Sequence, residues 1–179
     1  MAHKLTTYLS AEQIAERVAE LGREITASYS GGEPLVCICV LKGAFLFYAD
    51  VIRRIDREIE VDFVRLASYG SGTTRGEDLV FSKDLEIAIE GKDVLVVEDI
   101  VDSGHSMDFL LHVLRRRGPK SLKICALIDK HERRERDITV DFAGFKLSDD
   151  ALVGFLVGYG MDYAERYREL DGLYELSSE

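Results

Sequence analysis

The chain lacks any apolar run long enough to cross a membrane. A membrane-spanning helix needs roughly 18–20 apolar residues in succession, and no run in these 179 residues approaches that length. The first residues also lack the basic start and long apolar stretch of a secretory signal peptide. These absences predict a cytoplasmic protein without a membrane partner.

Positive charge is also scarce. Lysine and arginine number 23 against 33 acidic residues, which gives a net charge of −10. Broad nucleic-acid binding draws on clustered Lys and Arg, and the one dense basic cluster, at 115–117, ends a predicted helix where it complements the helix dipole. We therefore expect no nucleic-acid partner. A small polyanion remains compatible, because a bound divalent cation and local amides can outweigh net charge.

Cysteine is limited to three residues, Cys37, Cys39 and Cys125. All three lie inside apolar runs, and no further Cys or His stands at the spacing that a zinc site requires. Cys37 and Cys39 share one face of a predicted strand, because strand side chains alternate. The pattern predicts buried small side chains in a reducing compartment.

The residues that are present indicate one α/β domain spanning 1–179. The hydrophobic fraction of 46% and charged fraction of 31% are typical of a globular chain, and no repeat or composition shift marks a second domain. Helices are predicted at 11–28 (with a capping box of Ser10 and Gln13), 44–54 and 105–117. Strands are predicted at 35–41, 61–66, 79–81, 85–89, 94–98, 122–128, 140–142 and 152–157. This alternation favours a mainly parallel sheet flanked by helices.

Polar or glycine residues follow three of these strands at their carboxyl ends, where ligands bind in such sheets. They are Lys42 with Gly43, the stretch 98–106, and Asp129 with Lys130. A simple connector would need none of them. We expect the three positions to converge on one cleft.

The stretch 94–107 carries the most information. An apolar strand leads into three carboxylates, Glu98, Asp99 and Asp102, and then into a Ser-Gly-His-Ser turn that opens a helix. Such a turn presents free backbone N–H groups and the positive end of the helix dipole, which suit a phosphate. Carboxylates beside a phosphate cradle indicate a phosphorylated sugar as ligand.

Chemistry alone leaves two interpretations of these three carboxylates open. Acidic residues cap helix N-termini, which explains Asp102 but leaves Glu98 and Asp99 without a purpose. Adjacent carboxylates also accept hydrogen bonds from two vicinal hydroxyls, or hold Mg²⁺ directly or through water. In extended backbone Glu98 and Asp99 point to opposite faces.

The stretch 94–107 resembles the phosphoribosyl-pyrophosphate (PRPP) motif of type I phosphoribosyltransferases, and the chain more narrowly resembles the hypoxanthine-guanine phosphoribosyltransferases. The likeness rests on five pieces in register, at 41–43, 68–69, 98–106, 130 and 155–168. It implies a central, mainly parallel sheet flanked by helices, a small hood from the N- and C-terminal segments, and a mobile lid at about 68–82. A plain surface hairpin is the alternative for 68–82.

The resemblance implies purine salvage: transfer of the 5-phosphoribosyl group from PRPP to N9 of hypoxanthine, and of guanine, giving IMP or GMP and pyrophosphate. It also implies Mg²⁺ as cofactor and a homo-oligomer, a dimer or tetramer. The alternatives are an enzyme of the same fold that prefers xanthine or guanine, an RNA-binding regulator of PRPP fold, and a non-catalytic nucleotide-binding module.

Residue roles follow from the same resemblance. For PRPP, the implied 5′-phosphate site is formed by Asp102, Ser103, Gly104, His105 and Ser106. Glu98 and Asp99 would bind the ribose hydroxyls, directly or through metal, and Asp102 would also act as general base near purine N7. In the family the fourth position of this turn usually holds a basic or other residue, whereas here it holds His105. A histidine at this position predicts a phosphate affinity that depends on pH.

The remaining implied sites concern pyrophosphate, metal and purine. Pyrophosphate would meet Lys42, Gly43, Ser68, Tyr69 and Arg168, and the peptide bond before Lys42 is often cis in the family. Glu98 and Asp99 would be metal ligands, and Asp162 would bind a second Mg²⁺. Lys130 would read the 6-oxo group, Phe155 would stack on the purine, and the backbone beside Leu156 would meet its edge. Leu156 is larger than the valine common there, which leaves recognition of a 2-substituent open. The alternative for Asp162 and Arg168 is surface charge on a C-terminal helix.

Overall fold

The described part of the chain forms two β-sheets and three α-helices. The structure is a computed structural model, and it describes residues 3–68, 79–148 and 154–178. The helices are α1 (Ala11–Ser28), α2 (Phe45–Ile52) and α3 (His105–Arg115), and a short 3₁₀ helix spans His131–Arg133. The strands are β1 (His3–Leu9), β2 (Leu35–Leu41), β3 (Ile59–Ser68), β4 (Leu79–Lys83), β5 (Asp93–Val101), β6 (Ser121–Asp129), β7 (Phe142–Lys146), β8 (Phe155–Val157) and β9 (Leu173–Ser178).

The larger sheet has six strands in the order β4-β3-β2-β5-β6-β7. Every neighbouring pair in it is parallel except β3 and β4. The smaller sheet, β1-β9-β8, is antiparallel and joins the two ends of the chain. The prediction of a mainly parallel sheet flanked by helices is confirmed.

Strand β2 is buried on both faces because helices cover the sheet on each side. Cys37 and Cys39 pack into the core layer that includes α1 and α2, whereas Val36 and Ile38 pack into the layer that includes α3. The cysteines are therefore buried and share a face, as their spacing predicts. Burial raises the pKa of both Cys37 and Cys39 to about 12.

Helix α1 has the predicted bounds. Ser10 and Gln13 form the expected capping box, with the Gln13 N–H donating to Ser10 Oγ and the Ser10 N–H donating to Gln13 Oε1. Its apolar stripe, Ile14, Val18, Leu21 and Ile25, is buried. None of the helices in the described ranges is long and apolar enough to span a membrane.

The strand predicted at 85–89 is wrong. Within the described residues this stretch contains no strand, because the buried carboxylate of Asp62 accepts the N–H groups of Glu86 (2.7 Å) and Ile87 (2.9 Å). A side chain thus satisfies donors that a strand would have paired in a ladder.

Three predicted elements near the C-terminus are corrected. The strand expected at 140–142 begins at Phe142, since Asp141 instead accepts the N–H of Ile124 at 2.8 Å. The strand expected at 152–157 is Phe155–Val157 where described, and it belongs to the smaller sheet; 152 and 153 lie outside the described residues. Residues 154–178 contain no helix, so the alternative of a C-terminal helix carrying Asp162 and Arg168 is wrong.

Candidate active site

The three polar strand ends meet at one edge of the larger sheet. Strands β2, β5 and β6 are parallel neighbours, so Leu41, Val101 and Asp129 end them on the same side. The N–H of Lys130 donates to the carbonyl of Val101 at 3.0 Å and fixes the turn after β6 beside the turn after β5. The structure thus brings together the segments that the sequence predicts will converge.

A cavity of about 450 Å³ opens at this edge. Residues predicted for different substrates line it together: Asp99, Asp102, Ser103, Lys130, Phe155, Leu156 and Asp162. Arg133, Glu135 and Met161 also line it, and none of the three is a predicted site residue. We refer to this space as the main cavity.

A second cavity of about 130 Å³ lies at the start of α3. Its walls include Glu98, Gly104, His105 and Ser106, and it shares Ile100, Asp102 and Ser103 with the main cavity. We call it the loop cavity. Glu98 lines the loop cavity, whereas Asp99 lines the main cavity.

The turn before α3 has the geometry of an anion cradle. Gly104 adopts a φ of 89°, which only glycine reaches easily. Among the described residues no side chain caps α3, so the N–H groups of its first turn can meet an anion. A Cβ at residue 104 would also approach Arg134 Cδ to 3.1 Å.

Glu98 and Asp99 are held as a tight acidic pair. The Asp99 N–H donates to Glu98 Oε1 at 3.0 Å, and the Ile100 N–H donates to Asp99 Oδ1 at 2.7 Å. Burial raises the pKa of Glu98 well above its usual range, and the adjacent Asp99 raises it further. Burial also raises the pKa of Asp99. A hydroxyl donor or a cation would relieve this unfavourable concentration of negative charge.

Gly43 connects the end of β2 to the acidic pair. A Cβ atom at residue 43 would overlap with Asp99 Oδ2, and one at Gly160 would overlap with the carbonyl oxygen of Gly43. The peptide bond between Leu41 and Lys42 is cis, as the resemblance implied. Backbone therefore approaches the carboxylate where a side chain would block it.

Four charged side chains gather beside Gly43 and Gly160. Arg168 Nη2 lies 2.7 Å from Asp162 Oδ1 and 3.0 Å from Glu165 Oε2, and Lys42 Nζ lies 3.0 Å from the same Glu165 oxygen. Arg168 Nη1 donates to the carbonyl of Gly160 at 2.8 Å. Lys42, Asp162 and Arg168 were predicted site residues, whereas Glu165 was missed.

The chain matches the model of the phosphoribosyl transferase domain over residues 4–164. A hypoxanthine phosphoribosyltransferase from Salmonella typhimurium is 46% identical over 171 residues, which cover 95% of this chain and 94% of the relative. The chain belongs to the hypoxanthine-guanine phosphoribosyltransferase family. A hypoxanthine-guanine phosphoribosyltransferase from Bacillus subtilis is also 46% identical, with 95% of this chain and 92% of that protein covered.

Solved structures agree with this membership. The crystal structure of a Bacillus anthracis hypoxanthine-guanine phosphoribosyltransferase, with a HEPES molecule in its active site, superimposes with a TM-score of 0.90 at 42% identity. The alignment covers 97% of this chain and all of that one. The type I phosphoribosyltransferase fold is thereby confirmed.

In this phosphoribosyltransferase an exposed aromatic side chain flanks the main cavity. Phe155 is 66% exposed, and its ring centroid lies 5.6 Å from that of Tyr163. Lys130 is partly buried, and the preceding Asp129 is paired with Arg134 at 2.5 Å. An open ring and a lysine thus stand around one space, an arrangement suited to a flat, polar heterocycle.

A charged segment of the phosphoribosyltransferase, residues 131–138, packs against the turn before α3, and we call this segment the clasp. The Glu135 N–H donates to the carbonyl of Ser103 at 2.9 Å, and Glu135 Oε2 lies 2.7 Å from His105 Nε2. Arg133 Nη1 stands 3.6 Å from Asp102 Oδ2. The dense charge directly after Lys130 is the sequence signal that would have found this segment.

The imidazole of His105 is held from both sides. Arg136 Nε donates to His105 Nδ1 at 3.1 Å, so Nδ1 must be an acceptor and Nε2 carries the proton toward Glu135. His105 therefore fastens the clasp to the loop cavity.

Two predicted PRPP contacts fall outside the described part of the phosphoribosyltransferase. Tyr69 and the side chain of Ser68 lie outside the described residues, as does most of the proposed lid at 68–82. The end of that stretch is strand β4, which pairs antiparallel with β3, and this confirms the strand predicted at 79–81.

Proposed function

We propose that this protein acts in purine salvage and transfers the 5-phosphoribosyl group from PRPP to N9 of hypoxanthine and guanine. The products are IMP or GMP and pyrophosphate. One observation carries the proposal: the main cavity and the loop cavity share Asp102 and Ser103. A base in one cavity and a phosphorylated sugar in the other would meet at these residues. The family membership of the chain supports the same reaction.

The sugar phosphate occupies the loop cavity in this proposal. The turn 102–106 receives the 5′-phosphate on its backbone N–H groups and on the hydroxyls of Ser103 and Ser106, with Gly104 and His105 shaping the turn. Glu98 and Asp99 accept hydrogen bonds from the ribose 2′- and 3′-hydroxyls, directly or through metal and water. The raised pKa of both carboxyls supports these roles, since each hydroxyl donor stabilises a partly buried anion.

The purine occupies the main cavity. Phe155 stacks on the flat base, and its exposed ring supports that role. Lys130 donates to the 6-oxo group, which adenine lacks, and the backbone beside Leu156 meets the purine edge. Asp102, on the wall common to both cavities, accepts the purine proton as general base.

Pyrophosphate is bound by Lys42, Gly43 and Arg168. Gly43 lies against the Asp99 carboxylate, Arg168 pairs with Asp162, and Lys42 and Arg168 both contact Glu165. These contacts support the assignment, because the scissile C1′–O bond must lie between the ribose site and the pyrophosphate site. Ser68 and Tyr69 complete the pyrophosphate contacts from the lid. Their roles rest on the family resemblance alone.

Mg²⁺ is the proposed cofactor: Glu98 and Asp99 would hold one ion, directly or through water, and Asp162 would hold a second ion. Within the described residues no group of three or more His, Cys, Asp or Glu forms a ready-made metal cage. The carboxylates of Glu98, Asp99 and Asp162 fit Mg²⁺, because each ion usually takes one or two carboxylates together with water and substrate phosphate oxygens. When bound, the ion would neutralise negative charge on the pyrophosphate.

The chemistry needs no covalent enzyme intermediate. The C1′–O bond to pyrophosphate breaks early and leaves oxocarbenium-like charge on the ribose, then N9 forms the new bond to C1′. Lys42 and Arg168 stabilise the departing pyrophosphate while Asp102 takes the proton that the purine loses. Positioning and electrostatics supply most of the rate acceleration.

Assembly and location follow the family expectation. We propose a homo-oligomer, a dimer or tetramer, in the cytoplasm. Sedimentation of the purified protein tests the first point: a species of two or four chains supports it and a monomer contradicts it.

Nucleotide formation from PRPP, Mg²⁺ and each of hypoxanthine, guanine, xanthine and adenine tests the function. IMP and GMP are expected, with no AMP because Lys130 finds no 6-oxo group. Chelation of Mg²⁺ should abolish product. Folded protein that makes no nucleotide from any of the four bases contradicts the proposal, and xanthine as the preferred base contradicts the substrate assignment.

A further inference from the structure

Glu165 lies between two cations of the site. Lys42 Nζ is 3.1 Å from Glu165 Oε1 and 3.0 Å from Oε2, and Arg168 Nη2 is 3.0 Å from Oε2. One carboxylate therefore bridges both side chains. An anion with two or more oxygens is the natural ligand for such a pair, and Glu165 takes that place in this structure.

A tight turn presents the Glu165 side chain to these cations. Tyr163 and Arg166 exchange backbone hydrogen bonds of 3.1 Å across the turn, and the Glu165 N–H donates to Asp162 Oδ2 at 2.8 Å. Ala164 and Glu165 have φ values of 51° and 61°. Residues other than glycine adopt this left-handed conformation only when surrounding contacts hold it.

The Glu165 carboxylate can leave without disturbing the fold. Its side chain is 66% exposed, against 44% for Lys42 and 19% for Arg168. Rotation about the Glu165 side-chain bonds would move the carboxylate into solvent while the backbone stays in place. Arg168 in contrast keeps its hydrogen bond to Gly160 and its pairing with Asp162.

Charge balance explains why a carboxylate is useful at this point. Lys42 and Arg168 both lie about 3 Å from one oxygen, so without an anion between them they would repel each other. Hydrogen bonds from Lys42 and Arg168 lower the pKa of Glu165, which therefore stays ionised. The pair thus keeps a counter-ion when no substrate is bound.

We propose that Glu165 is a built-in competitor of pyrophosphate, which binds Lys42 and Arg168 in the empty site and must be displaced by pyrophosphate or by the pyrophosphate end of PRPP. The proposal rests on the proposed function for the assignment of Lys42 and Arg168 to pyrophosphate. Its consequence is weaker binding of both ligands, together with easier release of the product. Glu165 is thereby a residue that tunes affinity without contacting the reacting atoms.

Calorimetric titration with pyrophosphate in the presence of Mg²⁺ tests the proposal on wild type and Glu165→Gln. Glutamine keeps the length of the side chain and removes its charge. We expect Glu165→Gln to bind pyrophosphate about threefold to tenfold more tightly and to show a lower KM for PRPP, the range expected for exposed ion pairs. The gain should shrink as salt rises.

Glu169→Gln is the matched control. Glu169 is an exposed carboxylate in the same segment. Among the described residues it forms no ion pair with Lys42 or Arg168, so the substitution makes the same change in net charge without removing a contact to either cation. We expect wild-type affinity for this variant. A second control compares the double variant Lys42→Met/Glu165→Gln with Lys42→Met alone. The gain in pyrophosphate affinity from removing the Glu165 charge should largely disappear in this pair, because Lys42, one of the partners of Glu165, is absent.

Equal or weaker pyrophosphate binding by Glu165→Gln overturns the proposal, and so does an equal gain in Glu169→Gln. A wild type that does not bind pyrophosphate overturns it as well. Nucleotide formation is followed in parallel on the same samples. Wild-type protein that binds pyrophosphate but makes no nucleotide contradicts the proposed function, while the comparison between variants still decides the role of Glu165.

Discussion

Gly43 and Asp99 contact each other across the ends of two strands, so closely that a Cβ atom on residue 43 would overlap with the Asp99 carboxylate. Gly43→Ala must therefore displace either the backbone after β2 or the carboxylate. We expect the KM for PRPP to rise at least tenfold, and the free energy of unfolding to fall by about 1–3 kcal/mol, as overpacking typically costs. Steady-state kinetics and denaturant unfolding measure the two effects.

Gly32→Ala is the control for this substitution, because a Cβ there would meet no atom of the described residues within 4 Å. It should leave both quantities unchanged. A Gly43→Ala protein with the PRPP affinity of the wild type would show that the close approach to Asp99 has no part in binding.

Phe155 offers a test of base recognition that is nearly free of folding effects. With 66% of the residue exposed, Phe155→Ala should change the free energy of unfolding by no more than about 0.5 kcal/mol. Loss of stacking should raise the KM for hypoxanthine about tenfold or more, with the KM for PRPP unchanged. Phe155→Tyr should restore most of the affinity. A rise in both KM values would instead indicate general damage to the cavity.

His105 should matter through the clasp that it fastens. His105→Leu removes its contacts with Glu135 and Arg136, so we expect a loss of up to about 1 kcal/mol in unfolding free energy and a severalfold higher KM for PRPP. His112→Leu, an exposed position on the same helix, is the control. If the two variants behave alike in both measurements, the clasp does not support the phosphate turn.

Asp93 should make part of the free energy of unfolding sensitive to acid. Hydrogen bonds from Lys120 Nζ (2.9 Å) and Ser121 Oγ (2.5 Å) lower the pKa of this buried carboxyl. Its contribution is present above the unfolded-state pKa, near 4, and is lost as pH falls through the lower folded-state pKa. Unfolding free energy measured from pH 7 to pH 3 should therefore fall less steeply for Asp93→Asn than for wild type.

The exposed Asp56 provides the comparison for this pH series. Asp56→Asn should follow the wild-type curve, because that carboxyl accepts no hydrogen bond and forms no ion pair among the described residues. Parallel curves for wild type and Asp93→Asn would contradict the assignment of acid sensitivity to Asp93.

Local sequence signals predicted the elements whose ends are marked by residues within or next to them. Helix α1 has a capping box at one end and an apolar stripe along its length, so both of its bounds could be read from the chain. Strands β1 and β9 were missed because their partners lie at opposite ends of the sequence, with Leu5 facing Leu176. The strand expected at 85–89 failed for a similar reason, since Asp62 lies more than twenty positions away and takes its backbone donors.

The residues of the candidate site also fall into two groups: those that the sequence predicts and those that only tertiary contacts position. Lys42, Asp102 and Lys130 were predictable because a parallel sheet brings the carboxyl ends of its strands to one edge. Glu165 and Arg133 were not, because a turn with left-handed φ values aims one and the packing of 131–138 on the phosphate turn aims the other. Such placements depend on tertiary contacts that no local pattern encodes.

The division of labour among the three carboxylates is tested most directly by Asp102→Asn. Asparagine keeps the shape of the side chain but cannot take the purine proton, so kcat for IMP formation should fall by about 10²–10⁴-fold, the usual contribution of a general base. The dissociation constant for PRPP, measured separately by calorimetry, should change by less than about threefold, because Glu98, Asp99 and the phosphate turn remain. Equal losses in turnover and PRPP affinity would contradict the role of Asp102 as the base.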